Sequence, residues 1–351
     1  MSSPLLQSSL SRSPLSRRVP LGLLALLVGI NLAAWFWALT AFAGHPALAG
    51  TALLAYLLGL RHAVDADHIA AIDNTVRKLM QDNQRPLAVG FFFAAGHSTI
   101  VLIGVVVILF ATATLQGQMK SFSETGSLIG TGVSALFLLV IALYNMNVLR
   151  GVWRNFRLMQ RGTPVSEEQL DILLGNRGLL ARLLRPLFRL VTKSWHMFPI
   201  GFLFGLGFDT ATEVGLFALS ATHSVDIVPV WHILALPVLF AAGMSLVDTL
   251  DSMLMVGAYG WAFVKPVRKL WYNLTITLVS VVIAVVIGGL EALGLIARKF
   301  ELAGGIWDIV ATLNENLAHF GYIVIALFVA SWVVSAAIYK WKRYDTLADG
   351  H

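Results

Sequence analysis

Residues Leu48 to Ile72 read LAGTALLAYLLGLRHAVDADHIAAI, a long run whose second half carries Arg61, His62, Asp65, Asp67 and His68. A helix crossing the hydrocarbon core needs roughly 20 predominantly apolar residues, so this run is long enough to span while holding groups that lipid excludes. The whole chain speaks for the same solvent. Of its 351 residues 57% are hydrophobic and 13% charged, whereas a soluble domain has about a quarter charged. Working outward from Leu48 to Ile72, further spans are expected near Val19 to Ala43, Ala88 to Ala111, Ser127 to Leu149, Met197 to Ala221, Pro229 to Ala258, Trp271 to Leu295 and Phe320 to Trp341. The expected fold class is therefore an all-α integral membrane protein of about eight transmembrane helices. A barrel would show alternating segments of about ten residues, whereas Val279 to Leu290 is apolar on every side.

The net charge of +6 is a topology signal, and neither nucleic acid nor an acidic partner is expected. Basic residues gather in alternate connections: Arg12, Arg17 and Arg18; Arg77, Lys78 and Arg85; the stretch from Arg150 to Lys193; Lys265, Arg268 and Lys269; and Lys340, Lys342 and Arg343. Lys120, Arg298 and Lys299 fall on the other side. The positive-inside bias then puts both termini in the cytoplasm. The chain divides into a cytoplasmic tail (1–18), spans one to four (19–149), a basic cytoplasmic loop (150–196), spans five to eight (197–341) and a second tail (342–351). Ala41-Phe42-Ala43 resembles a signal cleavage site, but the apolar run before it exceeds the roughly 7 to 15 residues of a signal core, so an uncleaved first span is expected. With no cysteine, disulfides and thiolate metal sites are excluded; a metal here is held by nitrogen, oxygen or methionine sulfur.

Two stretches echo each other. Gly59-Leu60 followed by Asp65-Ala66-Asp67 answers to Gly205-Leu206 followed by Asp209-Thr210-Ala211-Thr212-Glu213, and Phe93-Ala94-Ala95-Gly96-His97-Ser98 answers to Phe240-Ala241-Ala242-Gly243-Met244-Ser245. The echoes lie three spans apart, so spans 2–4 and 5–7 are expected to form an inverted repeat, an architecture of secondary transporters whose site lies at the midplane.

Asp65, Asp67, Asp209, Glu213, Asp248 and Asp251 lie inside expected spans, with His62, His68, His97 and Arg61. An ionised group at the bilayer centre costs on the order of 3 kcal/mol, so such residues mark a pathway or site. Structural pairing needs cations in balance, and Arg61 alone among these is a permanent one. On an ideal helix His62, Asp65 and His68 share an arc while Asp67 points elsewhere. Yet His62 and His68 would stand roughly 9 Å apart along the axis, too far for one ion at metal–nitrogen distances near 2 Å. Either the helix is unwound here or it passes an ion through successive positions. His97, between Gly96 and Ser98, is a further candidate ligand. Imidazole with carboxylate suits a first-row transition metal, since magnesium and calcium prefer oxygen alone. Asp209 and Glu213 share a face of the fifth span, and Met244, Asp248, Asp251 and Met255 form a stripe on the sixth. These are expected to line the pathway or to orient the ligands.

No GxxxxGK[ST] pattern occurs, so neither nucleotide hydrolysis nor an ATPase subunit is expected. Four blocks, RHAVDADHI at Arg61, FFFAAGHSTIV at Phe91, LGFDTATE at Leu206 and GMSLVDTLD at Gly243, resemble the four signatures of the nickel/cobalt transporter family. The resemblance covers most of the membrane region. It implies eight spans, cytoplasmic termini in the bacterial inner membrane, and high-affinity uptake of nickel(II), or cobalt(II), with no cofactor. It also implies that His62, Asp67, His68 and His97, with Asp65 beside them, handle the metal. Val64 and the chain length look closest to nickel permeases that serve hydrogenase assembly. The rivals are a membrane metalloenzyme with histidine boxes, which needs more histidines near one face, and a metal sensor or subunit of a larger importer.

Overall fold

The computed structural model describes residues 21–82, 84–110, 113–160, 191–207, 210, 228–262 and 266–341. Eleven α-helices lie within them: α1 (Leu21–Ala41), α2 (Pro46–His62), α3 (Ala66–Gln81), α4 (Val89–Phe110), α5 (Ala113–Gln160), α6 (Met197–Phe204), α7 (Val230–Ile233), α8 (Ala235–Ala262), α9 (Pro266–Lys299), α10 (Ile306–Glu315) and α11 (Leu317–Trp341). No strand occurs among the described residues. Five helices are long and apolar enough to cross a membrane unaided, and two bent pairs, α2 with α3 and α10 with the first part of α11, raise that number to seven. The fifth expected span begins as α6. Asp209 and Glu213, and the two terminal tails, lie outside the described residues.

The deciding stretch is two helices. Pro46 starts α2, where a missing N–H is harmless and φ is already helical. The chain leaves the helix at Ala63, extends at Asp65 (φ −63°, ψ 146°) and restarts at Ala66, with a 51° change of axis. Gly321 of α11 seats against this break: a Cβ there would collide with the carbonyl oxygen of Val64. Such a break inside a span is tolerated only where protein or a cavity surrounds it.

Four glycines set the helix contacts around it. Gly59 of α2 lies on the backbone of Phe240 in α8, and Gly243 of α8 lies on Tyr56 and Leu60 of α2. On the other side Gly201 of α6 lies on the backbone of Phe93 in α4, and Gly96 of α4 lies on Phe198 and Phe202 of α6. Small residues let membrane helices approach at backbone distance. Gly59→Ala is accordingly expected to destabilise the protein by about 1–3 kcal/mol through overpacking, read as a lower unfolding temperature in detergent. Gly50→Ala, whose Cβ meets nothing within 4 Å, leaves it unchanged.

One expectation is overturned. Arg77 and Lys78 do not sit in a cytoplasmic loop: α3 runs on to Gln81 and both are buried. Arg77 Nη2 donates to Asp73 Oδ2 (3.1 Å), to Tyr259 Oη (2.7 Å) and to Ser280 Oγ. Tyr259 and Ser280 in turn donate to Asp73 at 2.5 and 2.6 Å. The guanidinium and carboxylate, one turn apart, thus tie α3 to α8 and α9. Lys78 Nζ donates to the Val191 carbonyl (2.5 Å). The start of the expected basic loop is also helical, since Arg150, Arg154 and Arg157 belong to α5.

Candidate metal centre

The break moves His68 back toward His62. Their ring centroids are 4.7 Å apart, and His97 of α4 completes a triangle at 4.9 Å from His62 and 4.8 Å from His68. All three side chains are buried, and one nitrogen of each lies within 4.8 Å of the others. Among the described residues this is the group of three or more ligand side chains close enough to share an ion. Of the two alternatives read from the ideal helix, the interruption is the one present.

Carboxylates stand behind two of the rings. His62 Nδ1 is 3.2 Å from Asp65 Oδ2, and His68 Nδ1 is 3.3 Å from Asp248 Oδ2. A carboxylate on one ring nitrogen fixes the tautomer and orientation and makes the other nitrogen the better metal ligand. His62 Nε2 and His97 Nε2 lie 3.0 Å apart. Two nitrogens bound at about 2.1 Å are separated by about 3.0 Å at a right angle and about 3.4 Å at a tetrahedral one. The His62–His97 separation thus matches the spacing that two ligands of one cation would have. Phe93 and Phe240 wall them, with centroids 4.8 Å from His68 and 5.6 Å from His62.

The other candidates divide. Asp67 faces the adjoining cavity, and its Oδ1 accepts the His68 backbone N–H at 2.9 Å, which serves an otherwise orphan donor at the start of α3. Ser98 is buried beside His97, and its Oγ has no hydrogen-bond partner among the described residues. Met244 packs in an apolar cluster with Ala63 and Phe240. Asp251 is not part of the triangle, although its Oδ2 is buried.

A cavity of about 930 Å³ runs from His62, His97, Asp65 and Asp67 to exposed residues of the α9–α10 end, including Asp308. Glu291 of α9 lines it, with Ser134 Oγ of α5 at 2.8 Å from its Oε2. Glu291 was visible as an acid inside an apolar span and was not singled out. Thr210, which the sequence places beside Asp209 and Glu213 without marking it as a site residue, also reaches the cluster: its Oγ1 is 2.8 Å from His97 Nε2. A lone threonine beside stronger ligands carries no distinguishing signal.

A polytopic helical membrane protein with a buried cluster of imidazoles backed by carboxylates has the donor set that a transition-metal cation takes. The chain belongs to the NicO family of high-affinity nickel-transport proteins, whose model matches residues 48–338. It is 55% identical over 323 residues to a high-affinity nickel transport protein of Cupriavidus necator, covering 92% of each chain. It is 53% identical over 314 residues to the hydrogenase nickel incorporation protein HupN of Bradyrhizobium diazoefficiens, covering 90% of this chain and 82% of that one. Over 300 residues it is 42% identical to the cobalt transport protein NhlF of Rhodococcus rhodochrous, with 83% and 84% covered. No solved structure matches.

Proposed function

We propose that the chain takes up nickel ion, with cobalt as a second cargo, across the bacterial cytoplasmic membrane by secondary transport. The observation that supports this best is the triangle of His62, His68 and His97 at a broken span, reached from one face by a cavity. Membership of a nickel-transport family favours a transporter over a histidine-box enzyme. With both termini cytoplasmic, the α9–α10 end faces outward, so the cavity is the entrance. His62, His68 and His97 are the proposed ligands, Asp65 and Asp248 hold their rings, and Asp67 attracts the cation to the floor of the cavity. Asp209, Glu213, Asp251 and Ser98 belong to the pathway in this reading. Spans 2–4 and 5–7 act as inverted repeats, which suits alternating access to a midplane site.

A divalent cation moving inward gains about 4.6 kcal/mol from a 100 mV inside-negative potential. That supports roughly 2,000-fold accumulation, so no nucleotide-hydrolysing partner is needed. The test is reconstitution of the chain alone in liposomes with an imposed potassium diffusion potential and a nickel-sensitive dye inside. Nickel entry that grows with the inside-negative potential is expected; no entry with the potential imposed overturns the transport reading. Cobalt that competes as well as unlabelled nickel overturns the nickel preference.

A further inference from the structure

The four glycine contacts form two matching sets. Gly59 lies on Phe240, as Gly201 lies on Phe93; Gly243 lies on Tyr56 and Leu60, as Gly96 lies on Phe198 and Phe202. Phe240 and Phe93 are equivalent in the sequence echo, as are Gly243 and Gly96. The contacts therefore map Tyr56, Gly59 and Leu60 onto Phe198, Gly201 and Phe202. That register differs from the one read on sequence, which set Gly59 opposite Gly205. Carried forward, it pairs His62 with Phe204, Asp67 with Asp209, and His68 with Thr210; the other echo pairs His97 with Met244. Two features not used to set the register obey it. The ring of His62 meets Phe240 at 5.6 Å while the ring of Phe204 meets Phe93 at 5.2 Å. In addition, α2 ends at His62 and α6 ends at Phe204.

The packing thus has a two-fold relation in which α2 lies on α8 and α6 lies on α4. The chemistry has no such symmetry. One unit places three imidazoles at the centre, and the other places a phenyl, a hydroxyl and a thioether at the equivalent positions.

Building on the metal-transport reading, we infer that Thr210 is the second unit's contribution to the cation site, a hydroxyl ligand standing where His68's counterpart would be. Its Oγ1 is buried 2.8 Å from His97 Nε2, the atom that also lies 3.0 Å from His62 Nε2. An incoming cation takes the lone pairs of those nitrogens, and the Thr210 oxygen turns its own lone pair to the ion. A neutral oxygen holds a transition metal less strongly than imidazole does. A carrier gains from this, because a site must bind firmly enough to load and weakly enough to unload. The imidazole unit grips the ion, and the hydroxyl unit supplies the contact that is given up on release.

The test is equilibrium binding of radiolabelled nickel to the purified full chain in detergent, beside liposome uptake. Thr210→Val, which keeps shape and loses the oxygen, is expected to weaken nickel binding roughly 10-fold; Thr210→Ala, which cannot overpack, does the same, and Thr210→Ser restores it. Thr210→His is expected to bind nickel more tightly than the unaltered chain and to transport it more slowly. Unaltered affinity in Val and Ala, failure of Ser to restore it, or no tighter binding in His overturns the assignment. An unaltered chain that binds nickel but moves none overturns transport instead, and the binding series still decides Thr210.

Discussion

His68→Ala and His62→Ala are each expected to lower nickel uptake by about 100-fold or more, the upper end of what loss of even an outer-shell partner costs a metal site. Two observations make the effect large. The three imidazoles are too few to lose one, since the remaining pair leaves a divalent ion with most of its hydration to be replaced inside a low-dielectric span. Removing His68 also strands Asp248, which is fully buried and whose carboxylate faces the His68 ring at 3.3 Å. An uncompensated buried carboxylate is costly by itself. The measurement is radiolabelled nickel accumulation in cells producing equal amounts of each variant. His45→Ala, at the N-terminal end of α2 and outside the triangle, serves as control. Accumulation unchanged in either variant removes His62 or His68 from the site.

The second large effect is on stability. Arg77→Met is expected to destabilise the protein by about 3–5 kcal/mol, the cost of breaking a buried ion pair and leaving one charge behind. Asp73 would then sit inside the protein with Tyr259 and Ser280 as donors and no cation on its α3 neighbour one turn away. Thermal unfolding of the purified protein in detergent reads this directly. Replacing Asp73 as well, by Asn in the Arg77→Met background, removes the stranded charge and should recover part of the loss. A double variant no more stable than Arg77→Met shows that the charge is not the cause.

The membrane class and most spans were legible because apolar length is a local property of the chain. The residues of the imidazole triangle were legible too, since lipid excludes charge and imidazole from a span unless they have a use. Their convergence was not. An ideal helix puts His62 and His68 roughly 9 Å apart along its axis, and only the turn at Ala63 to Asp65, with Gly321 seated against it, brings the rings to 4.7 Å. Arg77 was misplaced for a related reason. A basic pair at the end of an apolar run ordinarily marks the cytoplasmic surface, and the contrary sign, Asp73 one turn earlier, is short-range and easily overlooked. The register inferred from the glycine contacts sets Gly59 opposite Gly201, four residues from the Gly205 read on sequence, and both glycines precede apolar sequence. Backbone contact with Phe240 and Phe93 distinguishes them where letters do not.

The cavity and the Asp73–Arg77 knot meet α9 at different levels, since Glu291 lines the first and Ser280, near the middle of the helix and about 16 Å away along its axis, joins the second. This uneven arrangement shapes the electric field within the protein. If the cavity is the entrance proposed above, a water-filled vestibule carries the potential of its own side down to the imidazoles, so little of the membrane voltage drops along it. In the proposed uptake the voltage falls over the protein beyond His68, where the stretch to Lys78 is about 15 Å of helix beside a hydrocarbon core of about 30 Å. Loading of the proposed site is then expected to be almost insensitive to voltage, whereas the onward step carries close to the full two charges. On this proposal the bilayer is electrically thin where the ion leaves the histidines.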